Sequence, residues 1–221
     1  MSLHFNLAYN VDLTLLSIAI VFPLVFSIRG SFRRREKALQ HFSRFRSALK
    51  TLSYYISSTS GLQQEQKDHM FVLLQNISDE TMKHLASNEE CTQVVDSAIN
   101  GLHEYLQELG GEAPTKLKDR VFKFLNRLHE GFENLHAINT HRTPVSLKAY
   151  CLIFIYAFPL IYAPNILMNI GATHPDIVIF FIVLLTQFIL ITLYNIQDQL
   201  EYPFDDDGLD DIKLQNFKFD R

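Results

Sequence analysis

Apolar residues in this chain are gathered into three blocks, at 11–28, 149–170 and 177–196, and none of the three contains a lysine or an arginine. Each is close to the ~20 residues that a helix needs to cross the hydrocarbon of a bilayer. Between the first and second blocks, across 29–147, apolar residues recur singly at helical spacing, the pattern of amphipathic helices around a shared core. The sequence therefore predicts an all-α, multi-pass integral membrane protein with about three spanning helices and a helical insert. The 221 residues have room for one such domain, 1–221: a first spanning helix at 11–28, the helical region 29–147, a membrane hairpin of 149–170 and 177–196, and an acidic tail 197–221.

The first block is not a cleavable signal, because the ten residues before it, "MSLHFNLAYN", carry no cation and no small-residue cleavage site follows. Asp12 would be costly in hydrocarbon, so the embedded part starts near Leu13. Positive charge begins abruptly on the far side, with Arg29, Arg33, Arg34, Arg35, Lys37, Arg44, Arg46 and Lys50. That side is expected to face the cytoplasm or its equivalent. The same topology explains the basic run better than nucleic-acid binding does. Gly171 and Pro175 mark a tight turn between the last two blocks, which returns the chain to the insert's side. Insert and acidic tail then share one compartment. The "NIS" acceptor at Asn76 should accordingly stay unglycosylated.

Tryptophan is absent, so the interfacial belt is left to tyrosines such as Tyr54, Tyr55, Tyr150, Tyr194 and Tyr202. Cys91 and Cys151 have neither disulfide nor metal spacing. Within the insert, Leu39, Phe42, Phe45, Leu49, Leu52 and Ile56 step by threes and fours, so the first membrane helix is expected to run on into the insert. Further helices are read at 63–77, 91–109 and 115–138, the last with Leu117, Val121, Phe124, Leu128, Phe132 and Leu135 on one face.

Catalytic patterns are missing. "HEGFE" at His129 begins like a zinc-binding HExxH, but Glu133 stands where the second histidine belongs and no partner ligand is visible in the sequence. His69, His84, His103 and His141 read as solvated residues on polar helix faces. No phosphate loop, CxxC pair or nucleophile elbow occurs, and the chain is not expected to be an enzyme. The tail holds Asp205, Asp206, Asp207, Asp210 and Asp211 around Gly208. A calcium site is one reading of these oxygens, but the spacing departs from an EF-hand loop, and a solvated acidic turn is the simpler one.

The segments "FSIRGSFRRREKALQHFSRFRSALK", "IYAFPLIYAP" and "NIQDQLEYPFDDDGLDDIKL" together resemble the bestrophin family of pentameric ion channels. Phe32, Arg34 and Arg35 match the family's aromatic-and-arginine stretch after the pore helix. Glu201, Pro203 and Phe204 match its Glu-x-Pro-Phe segment, which acidic residues follow. The resemblance runs from about Leu15 to Leu214, with weak matching across the insert.

The resemblance implies a homopentameric channel for chloride, and for other small anions such as bicarbonate, embedded among membrane lipids. It places a hydrophobic neck at Ile18, Phe22 and Phe26, which at i, i+4 and i+8 share one helix face, and a pore mouth at Arg29, Arg33, Arg34 and Arg35. It also implies a possible calcium at the acidic tail. Two departures stand out: family members usually have four membrane helices, the first of which has no counterpart here, and Arg35 and Glu36 occupy positions where many members carry aromatic residues. The reading from another class is a non-conducting, membrane-anchored helical scaffold.

Overall fold

The computed structural model describes residues 12–87, 89–170, 175–208 and 210–219. Among these residues six α-helices follow one another: α1 Thr14–Ser58, α2 Gln64–Ala86, α3 Gln93–Glu108, α4 Thr115–Thr140, α5 Val145–Ile170 and α6 Asp176–Glu201. Short 3-10 turns lie at Gly110–Glu112 and Leu214–Phe217. Among the described residues no strand occurs. The expected turn at Gly171 and the leading segment lie outside the described residues. The chain divides into two compact units, one of Met1–Arg33 with Thr143–Glu201, the other of Arg34–Arg142 with Tyr202–Arg221.

Among the described residues three stretches are long and apolar enough to cross a membrane, and they lie in the first unit. At 26 residues each, α5 and α6 are about 39 Å long, which exceeds the ~30 Å hydrocarbon thickness. Ile20 of α1, Ile155 and Phe158 of α5 and Leu190 of α6 form a small buried core, edged by Leu16, Phe154, Tyr162 and Tyr194. Much of the remaining apolar surface, including Phe180, Phe181, Leu184 and Phe188, faces outward. That is the inverse of a water-soluble bundle and suits solvation by lipid.

Pro23 lies inside α1. A proline has no N–H, so the carbonyl four residues earlier, on Ala19, loses its helical donor. The Tyr150 hydroxyl of α5 donates to that oxygen at 3.2 Å, which meets the requirement that backbone groups within a bilayer find partners inside the protein.

The second unit is an ordinary packed core. Phe45, Leu49, Leu52 and Ile56 of α1 are buried against Met70, Leu74 and Ile77 of α2, Val95 and Leu102 of α3, and Leu117, Val121, Leu128 and Phe132 of α4. The glycine of the "HEGFE" segment, Gly131, brings α4 close to α1: a Cβ there would sit 3.4 Å from the Phe45 side chain. Gln63 and Gln66 cap the start of α2 reciprocally, with the Gln63 amide donating to Gln66 Oε1 at 2.9 Å. Helix α2 runs nine residues past its expected end at 77, because Thr81, Met82 and Leu85 continue the buried face.

Two expectations change here. His84 is not solvated but buried on α2, with Nε2 3.0 Å from His136 Nδ1 and its ring edge-on to Phe132. Tyr54 and Tyr55, read as interfacial, belong to the second unit, where the Tyr55 hydroxyl donates to the Lys116 carbonyl.

Candidate functional site

Ile18, Phe22 and Phe26 are 46%, 56% and 60% exposed on the first turns of α1, whereas Ile20, Leu24 and Ser27 on the opposite side are buried within the unit. The Phe22 and Phe26 rings touch, with centroids 5.8 Å apart. At about 100° of rotation per residue, Ile18, Phe22, Phe26, Arg29 and Arg33 fall within an arc of roughly 80°. Arg29 and Arg33 are exposed on that arc. Arg34 and Arg35 lie off it and are half-buried, and Arg35 Nε donates to the Asp210 carbonyl at 2.6 Å. The four arginines thus divide into two on the apolar stripe's face and two turned elsewhere.

At the end of α6, Glu201 is almost fully buried. Its carboxylate takes Lys148 Nζ at 2.8 Å, Gln197 Nε2 at 2.8 Å and the Thr143 amide at 2.9 Å. Lys148 also pairs with Asp198 at 2.8 Å. A carboxylate so enclosed is held by its partners, and it joins the last turn of α6 to the residues that lead into α5. Pro203 and Phe204 are buried in the second unit: the Pro203 carbonyl accepts from the Ile212 amide at 2.8 Å, and the Phe204 ring meets Phe42 edge-on at 5.5 Å. These three residues hold the chain's path into the acidic turn.

In that turn Asp206 has a left-handed backbone, φ 63°. Asp205, Asp206, Asp207 and Asp210 are exposed, and Asp211 is half-buried. Asp211 Oδ2 accepts from the Gly208 amide at 2.5 Å. Burial, followed by the hydrogen bond that the protonated carboxyl donates to Asp205 and the charges of Asp205 and Asp206, pushes the Asp211 carboxyl up to about 6, against the lowering effect of the Gly208 amide. Asp205 and Asp211 crowd two carboxyls together, a donor set that fits a hard cation, which would relieve their repulsion.

Sequence reasoning missed three arrangements. The Lys148–Glu201 pair was legible as a lone cation at one end of a hairpin with acids at the other. The Tyr150 bond to Ala19 was signalled only by a proline in a membrane helix. The approach of Asp96 to His129 joins residues on separate helices, and nothing local announces it.

Fold and site define an integral membrane protein whose first spanning helix presents an apolar stripe that ends in two exposed arginines. Two variants of a bacterial bestrophin homologue from Klebsiella pneumoniae superpose on the chain with TM-scores of 0.79 and 0.82, each at 16% identity and covering 98% of this chain and 86% of that one. A solved structure described as a membrane protein gives a TM-score of 0.82 at 14% identity, with 98% and 86% covered. No family model and no curated protein matches the sequence. The chain has the fold of the bacterial bestrophin homologues.

Proposed function

We propose that this protein is a channel subunit, and that several copies, five by resemblance to the bestrophins, surround a pore for chloride and other small anions. The observation that carries the reading is the α1 face itself. Three large apolar side chains stand unpacked within the unit on a membrane helix, and two arginines follow them on the same arc. Rings of Ile18, Phe22 and Phe26 would make a neck that gates by dewetting and strips part of an ion's hydration. Arg29 and Arg33 would raise the local anion concentration at its mouth, while Arg35 ties α1 to the tail. Transport, rather than catalysis, is the proposed activity.

The test is reconstitution in liposomes under a chloride gradient, after native mass spectrometry has given the number of subunits. Arg29→Gln with Arg33→Gln should move the reversal potential away from the chloride equilibrium value, and Phe22→Ala should raise the current. Absence of flux from a folded oligomer would overturn the channel reading in favour of a scaffold. Calcium is proposed for the acidic turn, with Asp205 and Asp211 as carboxylate ligands and Asp206, Asp207 and Asp210 as the surrounding negative field. A rise in thermal midpoint with added Ca2+, abolished by Asp205→Asn with Asp211→Asn, is the expected result; equal responses of both proteins would refute it.

A further inference from the structure

We infer that Asp96 of α3 and His129 and Glu133 of α4 form a site for a first-row divalent transition-metal cation that bridges the two helices. His129 and Glu133 are one turn apart on α4, and the fold supplies the third donor that the "HEGFE" segment lacks. His129 Nδ1 is 3.8 Å from Asp96 Oδ1, and His129 Nε2 is 3.8 Å from Glu133 Oε1. One ligand atom from each of the three residues lies within 4.8 Å of the others. Metal–ligand bonds of about 2.1 Å at tetrahedral angles put donors roughly 3.4 Å apart. A metal binds one imidazole nitrogen, so these two approaches, through opposite ring nitrogens, do not both become bonds; a tilt of the half-exposed imidazole and glutamate side chains brings donors spread over up to 4.8 Å to that spacing.

A second observation also points to a ligand. Asp96 Oδ1 is closed off from solvent and accepts no hydrogen bond, an unsatisfied state that calls for a cation or a donor. Its other oxygen, Oδ2, is fixed by the Thr92 hydroxyl at 2.8 Å, which orients the free oxygen as outer-shell partners do for metal-ligating carboxylates. The groove beside the site is lined by Asn100, His103 and Asn126, and it leaves room for water to complete the coordination. One imidazole with two carboxylates suits Zn2+ and its neighbours in the first transition row better than Mg2+ or Ca2+, which prefer oxygen alone. The competing occupant is a proton: a charged His129 would bridge the same two carboxylates with no metal.

The experiment is calorimetric titration of the full-length protein in detergent with ZnCl2 at pH 7.5, on a Cys91→Ser background so that the exposed thiol does not compete. One Zn2+ per chain is expected, undisturbed by millimolar Mg2+. Asp96→Asn, His129→Ala and Glu133→Gln should each weaken binding by about tenfold or more, while His141→Ala, outside the site, leaves it unchanged. Helix content by circular dichroism shows that each variant is folded, and Zn2+ should raise the thermal midpoint of the parent but not of Asp96→Asn. No stoichiometric binding, or binding that Asp96→Asn and His129→Ala leave intact, would overturn the site and favour the protonated bridge.

Discussion

Removing one oxygen atom, in Tyr150→Phe, tests whether the hydroxyl substitutes for the donor that Pro23 lacks. The bond to Ala19 is 3.2 Å long, at the weak end for an O–H donor. Hydrogen bonds between membrane helices average ~0.6 kcal/mol and reach ~1.7 kcal/mol, whereas a buried carbonyl left bare costs ~1–3 kcal/mol. About 1 kcal/mol is therefore expected, a roughly fivefold shift in the folding equilibrium. The informative comparison is the same substitution on a Pro23→Ala background. There the residue 23 amide restores the helical bond to Ala19, and Tyr150→Phe should cost almost nothing. The coupling across the double-mutant cycle should then be about 1 kcal/mol. The assay is unfolding by sodium dodecyl sulfate in mixed micelles, followed by far-ultraviolet circular dichroism, since the chain has no tryptophan to report. Equal losses in both backgrounds would refute the reasoning, because the hydroxyl's contribution would then not depend on the donor that Pro23 lacks.

Other perturbations follow from the buried polar groups. Glu201→Ala takes one of its two acids from Lys148 and should cost ~3–5 kcal/mol in the same micelle titration, while Lys148→Met with Glu201→Leu recovers most of that loss; a double variant as unstable as the single one would contradict this. Burial holds His84 below the ordinary imidazole value, and His136 adds to the effect while Glu89 and Asp96 oppose it. The neutral form is thus favoured on folding, and the stability this contributes is present above pH ~6.5 and lost as pH falls below it. His84→Leu should flatten the decline in thermal midpoint between pH 7 and 5, and parallel curves for both proteins would show that another group is responsible.

The helices were legible where one face had to be buried in protein. Leu49, Leu52 and Ile56, and likewise Val121, Leu128 and Phe132, lie where their spacing put them, because the 3.6-residue period leaves little choice of face. The last membrane helix extends to Glu201, five residues past its apolar block, since Gln197 and Glu201 find partners in protein rather than in lipid, which hydropathy does not count. His84 was misread from its polar neighbours, although its spacing from Ile77 and Thr81 follows the buried stripe of α2. Among the arginines, spacing could have separated Arg29 and Arg33 from the other two. The tie of Arg35 to Asp210 could not have been seen, because it joins residues 175 positions apart. Asp96 and His129 are separated by the whole turn between α3 and α4, and only the register of that helix pair brings them together.

The enclosed pair of Lys148 and Glu201 bears on how the chain enters its membrane. Lys148 lies in the first turn of the fifth helix and Glu201 ends the sixth, so this ion pair forms only once both helices have been synthesised. A fifth helix delivered alone would have to hold its ammonium group in the headgroup region and wait. The helices are therefore best admitted to the bilayer as a pair, with the acids Asp198 and Glu201 arriving last and closing the hairpin behind them, and a chain stopped before residue 198 should be retained at the insertion machinery instead of released into lipid.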